Sequence, residues 1–416
     1  MSTAAAGTEL ARRAAEAAAR DSYGRLLAFL ASRARNIAAC EDALAEAFRA
    51  ALETWPARGV PDRPEAWLLT AARRNLSHGW RHDRVRAAAE PALAVLAPDE
   101  AHDPMQADTI PDERLKLLFV CAHPAIDEAA RTPLMLQTVL GLDAARIASA
   151  FLVSPATMGQ RLVRAKAKIR DAGIAFAVPE PADLPDRLDA VLAAVYAAYT
   201  SGWDDVAGAD PRRQGLAEEA IWLARVAAAL LPGEPETRGL LALMLHCEAR
   251  RAARRDAGGG FVPLDRQDTA LWDAGMIAEA EDALAAAARA GRPGRYQLEA
   301  AIQSVHAQRK ATGRIEWAAL DALYAGLVAL APGIGAQVGH AAVRANVAGP
   351  RAGLALLDAV DAARAAPYQP YWAVRARLSA DAGEREDARA AYEKAVGLTE
   401  DAAQRDHLVA AMLALG

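Results

Sequence analysis

The sequence predicts an all-α protein. Apolar residues recur at spacings of three and four along most of the chain, and no stretch alternates apolar and polar residues with a period of two. The composition agrees: 53% of the 416 residues are hydrophobic but only 5% are aromatic, and alanine, the strongest helix former, dominates. A chain of this length suggests roughly two to four domains with ample core.

The first helices fall within residues 8–54. Tyr23, Leu26, Leu27 and Leu30 form one apolar stripe, and Leu44, Ala47, Phe48, Ala51 and Leu52 form another, opposite Asp42, Glu46, Arg49 and Glu53. WPARGVPDRP (55–64), with three prolines and a glycine, breaks the pattern. A helix then starts near Pro64 and runs to about Arg86, with Trp67, Leu68, Ala71, Ala72 and Leu76 on its apolar side. Its last part, 73–86, holds five arginines, two histidines, one acid and Trp80. Basic charge with an interleaved ring suits phosphates and stacked bases; a solvated helix face accounts for the same residues.

Residues 87–113 carry seven acids, four prolines and no Lys or Arg. This composition predicts a flexible acidic linker. Helices resume over 112–140, interrupted at His123–Pro124.

From Leu142 to Gly173 the pattern reads as a short helix, a tight turn and a longer basic helix. Ser154 is a good N-cap, and Pro155 sits at the first helical position, where its missing N–H costs nothing. Met158, Leu162, Ala165 and Ile169 make one buried stripe, leaving Thr157, Gln160, Arg161, Arg164 and Lys168 to face outward. Five basic residues and no acid lie between Arg161 and Arg170. This is the layout of a helix-turn-helix with a DNA-reading second helix.

The net charge of −5 conceals a split: residues 1–175 hold 23 Lys/Arg against 21 Asp/Glu, the remainder 25 against 32. The acidic total therefore does not exclude nucleic acid, for which local clustering matters. Three widely spaced cysteines, Cys40, Cys121 and Cys247, without a CxxC, suggest free thiols in a reducing cytoplasm. The N-terminus lacks a signal peptide's apolar core, and the uncharged run Ala190–Trp203 is too short to span a bilayer. A cytoplasmic protein with no membrane association is expected.

The order of these segments resembles an extracytoplasmic-function (ECF) type sigma factor of bacterial RNA polymerase, within the sigma-70 family. CEDALAEAF (40–48) is similar to the helix that grips the polymerase clamp, and PEAWLLTAARRNLSHGWRHDR (64–84) to the helix that melts and reads the −10 element. DERLKLLFVCAHPAID (112–127) and FLVSPATMGQRLVRAKAKIRDAGIAF (151–176) resemble the subgroup with a long C-terminal helical extension. EAIWLARVAAALLPGEPETRGLLALMLHCEARRAARRD (219–256), LDRQDTALWD (264–273) and GRYQLEAAIQSVHA (294–307) match that extension. Three positions depart from the pattern: Ala45 replaces a Gln, His78 an Asp, and Ala122 a Cys. The last argues against a metal role for Cys121 and His123. Gly79, beside His78, weakens a helix interior by about 1 kcal/mol relative to Ala.

The resemblance implies core RNA polymerase and promoter DNA as partners. Asp42, Leu44, Glu46 and Phe48 would meet polymerase. Arg73, Arg74, Asn75, Trp80, Arg81 and Arg84 would meet the −10 region, and Thr157, Gln160, Arg161, Arg164 and Lys168 the −35 region. It divides the chain into a region 2-like domain (8–86), the acidic linker (87–111), a region 4-like helix-turn-helix domain (112–176), a helical extension (177–290) and tetratricopeptide-like repeats (291–416). The extension would act as a fused regulatory module contacting the sigma core or polymerase.

The linker VPEPADLPD (178–186) introduces that extension. Tyr324, Leu356 and Tyr392 repeat at spacings of 32 and 36, whose mean is the tetratricopeptide period. Trp372, Ala376, Gly383, Ala388, Tyr392 and Ala395 fit one such unit best. Gly258–Gly260, beside Asp256, reads as a flexible connection. No Walker-type loop, GxGxxG, nucleophile elbow or HExxH is present. His246 and Cys247 are adjacent rather than at ligand spacing, so neither an enzyme nor a cofactor is expected. The competing reading is a stand-alone helix-turn-helix regulator with a tetratricopeptide-like sensor, which would need only one basic module.

Overall fold

The computed structural model describes residues 3–87, 112–151, 153–203 and 211–415. The expected acidic linker lies almost wholly outside the described residues. The fold is all-α; the nearest approach to a strand among the described residues is a single antiparallel bridge, Arg255 to Phe261. The chain divides into two compact units, Met1–Ala198 and Tyr199–Gly416.

The first unit opens with α1 (Thr3–Ala34), α2 (Ile37–Arg58) and α3 (Pro64–Ala87). Asn36 caps α2, its side chain accepting from the Ala39 N–H at 3.2 Å. Leu26, Leu27, Phe29 and Leu30 of α1, Leu44, Ala47, Ala51 and Trp55 of α2, and Leu68, Leu69, Ala72 and Leu76 of α3 form the core between them. Two expectations shift here. The α2 stripe runs through Cys40, Leu44, Ala47, Ala51 and Trp55, while Leu52 is exposed. The predicted turn also starts later, at Gly59, because Pro56 sits inside the last turn of α2. That extra turn lets Trp55 meet Trp67 edge-on, ring centroids 5.5 Å apart.

Then come α4 (Arg114–Cys121), α5 (Glu128–Leu140), α6 (Ala144–Ala150), α7 (Pro155–Asp171) and α8 (Leu184–Trp203). Asp127 caps α5 at its start, and Gly141 closes it in the left-handed region at φ +73°. The expected boundary near 176 does not separate two units. The Thr132 hydroxyl of α5 donates to the Ala194 carbonyl of α8 at 2.9 Å, and Arg187 of α8 donates to the Phe119 carbonyl of α4 at 2.7 Å. The prolines of 178–186 thus turn the chain back onto the helix-turn-helix, and Pro185 begins a helix. The two basic modules likewise do not part at the linker: α1 packs on α4 and α5, and α2 touches α7.

The second unit continues with α9 (Pro211–Leu230), α10 (Pro235–Glu248), α11 (Ala274–Ala288), α12 (Arg295–Ala307), α13 (Arg309–Thr312) and α14 (Trp317–Leu330). It ends with α15 (Ile334–Ala348), α16 (Pro350–Asp358), α17 (Ala362–Ala365), α18 (Gln369–Asp381), α19 (Arg385–Leu398) and α20 (Ala402–Leu413). No break falls at 290, because α10 packs on both α11 and α12. Tyr324, Leu356 and Tyr392 land on α14, α16 and α19, Tyr324 and Tyr392 near the middle of their helices and Leu356 in the last turn of its own. The short α17 lies between α16 and α18, where the spacing stretches to 36. Ala376, Ala388 and Ala395 are fully buried where α18 packs on α19.

Side chains hold the irregular parts of this unit. Arg309 donates to the carbonyls of Leu264, Asp265 and Gln267, and Lys310 to those of Thr269 and Trp272. The LDRQDTALWD stretch is thereby fixed by two cations. Asp256 accepts from the N–H groups of Gly258 and Gly260 at 2.9 and 2.8 Å, so the glycine run is a side-chain-closed turn rather than a loose connection.

Glu236 supplies a cap across helices. Its carboxylate accepts from the N–H groups of Tyr296 and Gln297, at 2.8 and 3.1 Å, where α12 begins without a side-chain cap of its own. Both backbone donors lose their acceptor in Glu236→Ala. Urea unfolding of that variant is expected to show a loss of about 2 kcal/mol, the scale of charged hydrogen bonds at a cap.

Candidate nucleic-acid interface

The sequence around α7 folds as its spacing dictates. The Ser154 hydroxyl accepts from the Thr157 N–H at 3.1 Å, and Pro155 occupies the first turn. Met158, Leu162, Ala165 and Ile169 are all buried against the helices beneath. Counting about 100° per residue, Thr157, Gln160, Arg161, Arg164 and Lys168 fall within an arc of about 100°. Thr157, Gln160, Arg164 and Lys168 are exposed. Arg161 is half-buried and donates to the Ala129 carbonyl of α5 at 3.3 Å. This face carries three cations and no acid, which suits a phosphate-lined groove.

The α3 candidates are less uniform. Arg74 is exposed. Arg73 reaches back over the Phe29 ring, 5.2 Å from its centroid, with Arg33 also over that ring. Asn75 turns inward, and its amide donates to the Ala43 carbonyl of α2 at 3.2 Å. It therefore ties α3 to α2. The side chains of Trp80, Arg81 and Arg84, and of His78 and Gly79, lie outside the described residues.

On α2, Asp42 and Glu46 are exposed and Phe48 is half-buried. Leu44 is completely buried, so it orients the helix from within while its neighbours form the outer face. Arg49 pairs with Glu46 and Glu53 along that face.

Three residues outside the predicted set connect these elements. Lys166 lies on α7 about 180° from Thr157, and its ammonium pairs with Glu41 of α2 at 2.5 Å and donates to the Gln137 amide oxygen of α5 at 3.0 Å. Both charged side chains are almost buried, 11% and 14% exposed. Burial pushes the Glu41 carboxyl up, and Lys166 opposes that rise. A helical wheel shows Lys166 off the outward arc; the unbroken basic run conceals it.

The cysteines offer no reactive thiol. Burial pushes Cys40 and Cys121 up to about 12, and Cys121 sits 3.4 Å from the Thr138 hydroxyl. The ring Nδ1 of His123 accepts from the Ala125 N–H. Among the described residues, no group of three or more His, Cys, Asp or Glu side chains is placed to hold a metal ion. No helix among them is long and apolar enough to cross a membrane.

The profile of a family of unknown function (DUF6596) matches residues 187–288. An uncharacterized protein of Rhizobium meliloti (strain 1021) is 36% identical over 388 residues, which cover 90% of this chain and 91% of that one. The chain belongs to the same family as that protein. No solved structure matches it. Within the family's shared length, the DUF6596 block runs from the first turn of α8 to the last residue of α11. It therefore begins inside the first unit, on the helix that packs against α4 and α5.

Proposed function

We propose that the chain is a sigma factor that binds core RNA polymerase in the cytoplasm and directs it to a bipartite promoter, with a fused C-terminal regulatory module. The observation that carries this reading is the outward arc of α7, with three cations and no acid on a correctly capped second helix. In the same unit, α3 presents Arg74, and α2 presents Asp42 and Glu46 to solvent. The resemblance of all three segments to the ECF pattern, in the expected order, favours a sigma factor over a regulator with one DNA-binding module. Promoter DNA would meet α7 at −35 and α3 at −10, and polymerase would meet α2. The extension would contact the sigma core or polymerase.

Run-off transcription tests the reading. Bacterial core polymerase with this chain is expected to transcribe from a promoter selected out of random-sequence DNA, and core enzyme alone is not. If the chain binds DNA but never confers specific initiation, the stand-alone regulator takes its place.

The geometry of α7 also ranks its residues. Arg164→Ala is expected to weaken recognition at one −35 position by about 1–3 kcal/mol, the value of a good bidentate base contact. Lys168→Ala is expected to lower affinity evenly across sequences and reduce the salt slope by about one. Binding titrations against single-base variants at several salt concentrations separate the two patterns. Identical profiles for both variants would assign Arg164 to the phosphates as well.

A further inference from the structure

The α18–α20 end of the second unit holds a cleft of about 740 Å³, a volume typical of small-molecule sites. Ala373 and Val374 of α18 and Leu408 and Ala411 of α20 give it an apolar lining. Phe261 and His407 line it too, with their rings edge-on and centroids 5.5 Å apart. Burial, reinforced by the Arg266 cation and opposed by Asp265, holds His407 below its ordinary value. The imidazole is therefore neutral at pH 7 and adds to the apolar surface.

The cleft is held in shape by contacts of its own. Arg309 fixes the Leu264 and Asp265 carbonyls. Arg255 bridges to Phe261 and pairs with Asp401. The Asp401 carboxylate also accepts from the Ala403 and Gln404 N–H groups, at 2.9 and 3.1 Å, where α20 begins. One ion pair thus ties the strand-like stretch carrying Phe261 to the helix carrying Leu408. A preformed cleft spares a ligand the cost of ordering it.

Two polar groups in the lining are unused. Tyr392 of α19 is only 7% exposed, and among the described residues its hydroxyl has no hydrogen-bond partner. Burial raises its phenol, Asp381 raises it further and Arg377 opposes, so the hydroxyl keeps its proton and can donate. Arg377 is exposed, lines the cleft beside Tyr392, and forms no ion pair among the described residues. The described lining holds two arginines, Arg266 and Arg377, against one acid, Asp265. Asp265 is the neighbour of Arg266 in the chain, which leaves Arg377 as the uncompensated charge.

We propose that this cleft binds an amphipathic organic carboxylate, with Arg377 and the Tyr392 hydroxyl holding the head group and the hydrocarbon chain lying against Val374, Leu408 and Phe261. The lining of α18 runs from Gln369 to Arg377, eight residue steps, or about 12 Å along the helix axis. Extended chain covers three bonds in about 3.5 Å, so a chain of about ten carbons fills that length. The site belongs to the second unit alone and does not depend on the sigma-factor reading.

Equilibrium dialysis of the full chain against hexanoate, octanoate, decanoate and dodecanoate tests this. Affinity is expected to rise about fourfold per added methylene, the effect of burying one CH₂, and to level off near decanoate. Decanol, the same chain without the charge, should bind at least about tenfold more weakly than decanoate. Arg377→Ala and Tyr392→Phe should each weaken decanoate about tenfold, the scale of one hydrogen bond to a charged group. Ala410→Trp, at an exposed position in the lining, should abolish binding by filling the space without touching the core. Decanoate binding unchanged by Arg377→Ala and Ala410→Trp, or equalled by decanol, overturns the site. Affinity that keeps climbing past decanoate marks partition onto apolar surface and overturns it as well. Binding of an acidic tetrapeptide where no carboxylate binds would give the cleft to a peptide partner instead.

Discussion

Acidification from pH 6.5 to pH 4 is expected to unfold the second unit. His246 is 1% exposed on α10, with neither ring nitrogen hydrogen-bonded; His306 on α12 is also largely enclosed. Burial, reinforced by the neighbouring Arg250 guanidinium, pushes both imidazoles from 6.5 down to about 4. The unfolded chain therefore binds more protons than the folded one between those values. The stability these groups contribute is complete above pH 6.5, falls as pH drops, and is lost near pH 4. The loss is about 2 kcal/mol per histidine by pH 5 and about 3 at pH 4. Glu281 Oε1 lies 3.5 Å from His246 Nε2 and would partly offset the cost of a protonated ring. Urea midpoints at pH 7, 5.5 and 4.5 check this. His246→Leu with His306→Leu should flatten the pH dependence, and an equally steep decline in that variant would place the acid sensitivity elsewhere.

Cutting the chain after residue 178 is expected to destabilise the α4–α7 module by about 2–4 kcal/mol, the sum of one neutral and one charged hydrogen bond. The cut removes α8 and with it the bond from the Thr132 hydroxyl to the Ala194 carbonyl and that from Arg187 to the Phe119 carbonyl. A fragment ending at Trp203, after the whole of α8, should keep a cooperative transition. Thermal unfolding of both fragments distinguishes them, and equal melting temperatures would show that α8 contributes little. The consequence for function is direct. Lost transcription by the 1–178 fragment reports a damaged DNA-binding unit; only the longer fragment asks what the second unit does.

Where the sequence pattern was local, it could be read. The α7 cap, its first-turn proline, its buried stripe and the exposure of Thr157, Gln160, Arg164 and Lys168 follow from identities within seventeen positions; the half-burial of Arg161 on the Ala129 carbonyl does not. Tyr324, Leu356 and Tyr392 fall on α14, α16 and α19, which are separated by one helix and then by two. The α2 stripe was misplaced because Phe48 and Leu52 share helical spacing with Leu44, and only the position of Trp55 against Trp67 decides which edge is buried. The linker reading of 178–186 rests on clustered prolines; that α8 then bonds back to α5 and α4 depends on Thr132 meeting Ala194 and Arg187 meeting Phe119, pairs more than sixty residues apart in the chain. The contacts of α1 with α5 and of α2 with α7 were least legible of all. Gly24 stands in an alanine-rich helix where nothing nearby hints that a Cβ there would meet the Val139 carbonyl oxygen at 1.9 Å. Lys166 is concealed among four other cations and differs from Arg161, Arg164 and Lys168 in the side of the helix it occupies.

The turn at Asp256 bears on how the chain meets proteases. Three consecutive glycines ordinarily offer an easily threaded cleavage site, since a protease must draw several residues into extended form. Here the carboxylate of Asp256 holds the N–H groups of Gly258 and Gly260. A Cβ at Gly260 would strike that carboxylate at 2.6 Å. Backbone freedom is used to fit the turn around one side chain, and the stretch that composition marks as the softest in the second unit should be among the last exposed loops to be nicked.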